Sequence, residues 1–148
     1  MDFEGQKSIL IPLSYNGVII NDGASNFKSQ LDFLIYAMER IPPNVKVIAT
    51  RHGLQMNGSI PKETEDFLLE KYKNLSFVYD LEKYAYLSQW LTPLVDAVIS
   101  INSTVAFHAS LLKKKVIALG DCEINTVANA ENLNNIEKLL NILSNVFL

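Results

Sequence analysis

The chain has 148 residues, a single cysteine (Cys122), 13 Lys and Arg against 16 Asp and Glu, and a formal net charge of -3. That length suffices for one well-packed core, while a lone cysteine excludes an internal disulfide and a thiolate metal cluster and fits a reducing, cytoplasmic setting. The acidic balance gives no field to hold a nucleic-acid backbone, the opening Met1-Asp2-Phe3-Glu4 lacks the pattern of a secretory signal, and no apolar stretch reaches the roughly 18 residues of a spanning helix.

Ser8 to Leu13 is a short apolar run closed by Pro12, as expected of a buried strand leaving a sheet. Asn16-Gly17 and Asp22-Gly23 mark residues 15–25 as a loop. Phe27, Leu31, Leu34, Ile35 and Met38 follow at helical spacing, with Ser25 or Asn26 expected at the cap and Pro42-Pro43 preventing continuation. Val45 to Thr50 reads as the second strand. Pro61 opens a helix to about Tyr72, with Glu63, Glu65 and Asp66 at the end where the helix dipole favours acids. Leu75 to Tyr79 is the third strand, and Asp80 is expected to cap a helix through Tyr84, Leu87 and Leu91 that stops at Thr92-Pro93. Asp96 to Ile101 is the fourth strand, Asn102-Ser103-Thr104 opens the next helix, and Val116 to Gly120 is the fifth strand. Ile136, Leu139, Leu140, Leu143 and Phe147 mark a C-terminal helix. Strands alternating with helices predict an α/β fold, a Rossmann-like three-layer domain with a parallel sheet of about five strands.

In such a sheet ligands bind beyond the carboxyl ends of the strands, which selects Ser14 to Asn16, Arg51-His52-Gly53, Asp80, Asn102-Ser103-Thr104 and Gly120-Asp121-Cys122. At Asn102-Ser103-Thr104 a strand turns into a helix, so free backbone N–H groups, two hydroxyls and the positive end of the dipole converge on a spot suited to phosphate. The same residue types equally serve as plain helix caps. Arg51 and His52 add positive charge and a histidine able to donate to phosphate, although a surface-loop role suits them as well. His108 lies one turn into the helix begun by Ser103, within reach of a bound nucleotide or simply packed. The two histidines lack metal-site spacing and no acidic cluster accompanies them, so no protein-built metal site is expected. The absence of G-x-G-x-x-G, G-x-x-x-x-G-K-[ST] and G-x-S-x-G argues against a dinucleotide dehydrogenase, a P-loop NTPase and an α/β-hydrolase.

The run from Asp96 to Gly120 joins a strand ending in Asn102-Ser103-Thr104, a helix through Phe107-His108 to Leu111-Leu112, and Val116 to Gly120. It resembles the C-terminal donor-domain signature of GT-B glycosyltransferases, nearest the bacterial capsule polysaccharide biosynthesis family. Ile11-Pro12-Leu13 and Arg51-His52-Gly53 extend the resemblance, which covers about Ile9 to Gly120. It implies the donor-binding half of a two-domain transferase, with a nucleotide-sugar donor as substrate and no cofactor. By the same analogy His52, Ser103 and Thr104 contact the donor phosphate, as similar elements do in transferases using CMP-activated acidic sugars. Arg51 and Asn102 complete that phosphate set, His52 is the catalytic candidate, and Asp80, His108 and Gly120 are candidates for nucleotide contact. The implied partner is an N-terminal acceptor domain outside this sequence, and any peripheral seat at the inner membrane would come through other parts or partners. Three positions depart from the pattern: Gly53 replaces a proline, His108 stands where many such enzymes place a ribose-binding glutamate, and Lys114-Lys115 replaces a Gly-Lys/Pro step. Those departures leave a second reading, a non-catalytic Rossmann-like binding module that has lost the donor, and a third, an epimerase of the same fold.

Overall fold

The computed structural model describes residues 5–14, 23–52, 60–78, 81 and 83–141. Five strands, β1 (Ser8–Pro12), β2 (Lys46–Thr50), β3 (Leu75–Phe77), β4 (Ala97–Ser100) and β5 (Lys115–Ala118), pair in the order β3-β2-β1-β4-β5. Every pairing is parallel, with Ile9 opposite Val47 on one side and Ala97 on the other. All five residues of β1 are buried. A parallel sheet is covered on both faces, which is why its strands are apolar throughout rather than alternating.

One face carries α1 (Gln30–Met38), α2 (Lys62–Lys71) and α5 (Ile136–Asn141), whose Phe33, Leu34, Leu68 and Leu140 pack on Ile9, Ile11, Val47 and Ile99. The opposite face carries α3 (Leu87–Leu91), the 3₁₀ turn Thr92–Leu94 and α4 (Val105–Leu111), packed through Leu91, Val95, Val105, Ala106 and Ala109 on Leu10, Ile48, Val98 and Val116. The three-layer α/β expectation holds, with strand boundaries within two residues of those read from the sequence.

Three local expectations change. The cap of α1 is Ser29, whose hydroxyl accepts from the Asp32 N–H at 3.1 Å, not Ser25 or Asn26. Ser29 is the serine with extended backbone immediately before the helical run, and that conformation is what capping requires. Among the described residues the helix expected to start near Asp80 spans Leu87–Leu91, with a left-handed Tyr86 (φ 59°) at its cap position. Asp80 itself lies outside the described residues, as do Gly53 and the C-terminal Leu143 and Phe147. Residues 121–134, between the fifth strand and the C-terminal helix and without an element in the sequence reading, hold a 3₁₀ helix (Glu123–Val127) and a parallel bridge between Ala130 and Ile117. Ala118 N–H donates to the Ala130 carbonyl at 2.9 Å, so the segment closes the outer edge of β5.

Candidate functional site

The strand order reverses direction at β1 and β4, so the carboxyl ends of β1, β2 and β4 flank the crevice where open parallel sheets take ligands. β2 and β4 lie on either side of β1, which separates the loops that follow them by two strand spacings, about 10 Å.

On the β2 side, Thr50 is buried and its hydroxyl shares a 2.7 Å hydrogen bond with the hydroxyl of Ser88 on α3. The Arg51 guanidinium donates to Glu65 on α2 at 2.6 Å. Arg51, expected on a donor phosphate, is thus engaged by a carboxylate that is 1% exposed, and the pair ties the end of β2 to α2. Half-buried His52 follows directly. β1 ends between the two loops, where the Ser14 N–H donates to the side-chain oxygen of buried Gln30 at 3.0 Å.

On the β4 side, the buried Ser100 hydroxyl accepts from the Ser103 N–H at 2.8 Å, which turns the chain out of the strand. The Ser103 hydroxyl accepts from the Val105 N–H at 3.3 Å, so it performs part of a capping role. Thr104 occupies the formal cap position without a side-chain cap bond and is exposed. Asn102 is half-buried beside it. His108 is half-buried one turn into α4, with its N–H on the Thr104 carbonyl at 3.4 Å.

Gly120 has a packing function. A Cβ there would collide with the Ile101 carbonyl oxygen and approach the Ala24 carbonyl at 2.9 Å. Asp121 N–H donates to Ala24 and the Cys122 thiol to the Ile101 carbonyl, so the loop after β5 is fastened against the loop after β4. The structure therefore sets His52 on the segment after β2 and Asn102, Ser103 and Thr104 on the turn after β4, engages Arg51 with Glu65, and has His108 one helical turn beyond Thr104. Sequence reasoning missed Ser100, Thr50 and Ser88; the available signal was a hydroxyl closing an otherwise apolar strand. Among the described residues no group of three or more His, Cys, Asp or Glu could hold a metal ion, and no helix is long and apolar enough to cross a membrane.

No protein-family model matches the chain, and no curated protein matches it. Solved structures do. The chain is similar to Thermosulfurimonas dismutans KpsC, beta Kdo 2,7 transferase, with a TM-score of 0.63 at 18% identity over 88% of this chain and 41% of that one. It is also similar to Thermosulfurimonas dismutans KpsC, beta Kdo 2,4 transferase, with a TM-score of 0.58 at 13% identity over 87% of this chain and 39% of that one. At these identities the likeness establishes a shared fold. The chain spans about two-fifths of the length of each neighbour.

Proposed function

We propose that the chain is the donor-binding part of a glycosyltransferase of bacterial surface or capsular polysaccharide synthesis, holding the phosphates of a nucleotide sugar between His52 and the Asn102-Ser103-Thr104 turn. The observation that supports this reading is that both elements follow strands flanking β1 at the carboxyl edge of a sheet whose fold is similar to that of two Kdo transferases. In the reading, the hydroxyls of Ser103 and Thr104 stabilise negative charge growing on the departing phosphate. His52 hydrogen-bonds that phosphate and can protonate it, a contribution on the order of 10²-fold. Arg51, held by Glu65, anchors the loop that carries His52. The acceptor site and the base that activates the acceptor come from the remainder of a larger protein.

Ligand-dependent melting tests it. CMP, UDP, GDP and their sugar conjugates are added to the wild type and to the Ser103→Ala and His52→Ala variants. At a concentration 100-fold above Kd, a bound donor stabilises the fold by about 2.7 kcal/mol, a shift of several degrees. One nucleotide shifting the wild type and neither variant is the expected result. No shift with any member of the panel favours the non-catalytic binding module instead.

A further inference from the structure

The carboxyl end of β2 is held from both faces of the sheet. Side chains alternate along a strand, so Thr50 follows Ile48 onto the face covered by α3 and α4, while Arg51 follows Ala49 onto the face covered by α2. The Thr50 hydroxyl meets the Ser88 hydroxyl of α3 at 2.7 Å, and the Arg51 guanidinium meets Glu65 of α2 at 2.6 Å. His52 is the next residue along. Ser100 closes β4 on the same face as Thr50, two residues beyond Val98 as Thr50 is two beyond Ile48. Its hydroxyl stays local and accepts from the Ser103 N–H three residues ahead, whereas that of Thr50 reaches a partner 38 residues away.

Ser88 is itself fixed. Its carbonyl accepts from the hydroxyl of buried Thr92 at 2.7 Å. Three residues on, at the spacing that shares a helical face, Leu91 is buried in one cluster with Val105, Ala106 and Ala109 of α4. α3 packs on β1 as well as on α4, so it reaches from the end of β2, past β1, to the helix that Asn102-Ser103-Thr104 opens. With five residues and no side-chain cap, α3 is too short to persist by itself and takes its position from these neighbours. Among them the Thr50 contact is the directional one. Apolar packing is non-directional, whereas a hydrogen bond weakens steeply once its distance and angle are lost.

The pair is not needed to fill space. Valine at position 50 and alanine at position 88 would occupy nearly the same volume with no polar group to satisfy, and replacing both partners of a buried hydrogen bond by apolar groups of the same shape is close to neutral for stability. What the two hydroxyls add is geometry, the seating of the end of β2 against α3. We propose that Thr50 and Ser88 are positioning residues of the donor site, through which α3 sets His52 relative to the Asn102-Ser103-Thr104 turn. Arg51 and Glu65 supply the opposing hold from α2. The effect on affinity rests on the donor-binding reading; the effect on His52 does not.

The chain has two histidines, so the ring NMR signals of His52 and His108 are told apart with His52→Ala. In the protein without nucleotide, Thr50→Val and Ser88→Ala are each expected to split or broaden the His52 signal as a second conformation becomes populated. The double variant does no more than either single one, because all three lack the same bond. Thr50→Ser keeps the hydroxyl and gives one His52 signal. Melting temperatures of the single variants fall by no more than about 2–4 °C, so folded proteins are compared throughout. In titrations with CMP, UDP and GDP, the nucleotide bound by the wild type binds about fivefold more weakly to Thr50→Val and Ser88→Ala, the factor by which losing one hydrogen bond depopulates a conformation. Thr50→Ser restores the affinity. A single, unbroadened His52 signal in both variants that lack a hydroxyl overturns the proposal, as does unchanged affinity for the nucleotide that the wild type binds. If no nucleotide binds the wild type and the His52 signal still splits, the donor-binding reading falls and the placement of His52 by α3 stands.

Discussion

Arg51 and Glu65 meet at 2.6 Å across the junction of β2 and α2, with the Glu65 side chain 1% exposed and that of Arg51 20% exposed. The two partners are therefore unequal. Removing Arg51 strands a carboxylate that cannot reach water, whereas removing Glu65 leaves a guanidinium that partly can. Arg51→Ala is expected to destabilise the fold by about 3 kcal/mol and Glu65→Ala by roughly 2 kcal/mol, since breaking a buried pair leaves its survivor uncompensated. Urea unfolding of both variants checks the order; equal losses would contradict it.

Gly120 and Gly23 make an internal comparison. Gly120→Ala forces a methyl group into two backbone carbonyls, which cannot yield as a flexible side chain would, and overpacking of that kind costs about 1–3 kcal/mol. Gly23 has nothing within 4 Å of its added Cβ. Gly23→Ala is expected to leave the melting temperature unchanged or raised, with Gly120→Ala lowering it by several degrees.

Ser100 and Ser103 separate architecture from binding. Ser100→Ala removes a buried acceptor from the Ser103 N–H and is expected to cost about 1–2 kcal/mol while also weakening donor binding, because the turn loses its support. Ser103→Ala loses one 3.3 Å hydrogen bond from a half-buried hydroxyl, so its stability should fall by under about 1 kcal/mol. Donor binding, in the proposed function, is lost in both. Calorimetric unfolding with and without nucleotide distinguishes the two.

Lys113→Gly should be a stabilising substitution. Relief of the left-handed lysine is worth about 1 kcal/mol, or roughly 3–4 °C in Tm for a domain of this size. A Tm at or below that of the wild type would mean that the lysine side chain makes a compensating contact.

The layers of this fold were legible because the physics that builds them is local. The short apolar run Ile9, Leu10 and Ile11, closed by Pro12, suits a doubly covered strand, and it is wholly buried; Pro42-Pro43 prevents α1 from continuing. The strand-end rule likewise put His52 and Ser103 just after β2 and β4, since the end of a parallel strand fixes where its loop begins. What escaped depends on pairing across the chain. Glu65 reads from the sequence as one of three acids at a helix start; only the packing of α2 against β2 makes it the partner of Arg51. The start of α3 escaped because a left-handed Tyr86 precedes the helix, and nothing in the composition of that segment announces such a residue. Gly120 stood out as a glycine after a strand, yet its reason, the carbonyls of Ile101 and Ala24, lies on other loops.

The central position of β1 has a consequence for how the chain reaches its native state. β1 is made first in synthesis, yet half of its hydrogen-bonding edge waits for β4, and the contact between Ser8 and Asp96 spans 88 residues. Until β4 leaves the ribosome, Ile9 to Ile11 present an open, wholly apolar edge able to pair with a neighbouring chain. The sheet therefore closes around β1 only once Ala97 to Ser100 are available beside it, a long-range pairing of the kind that slows folding.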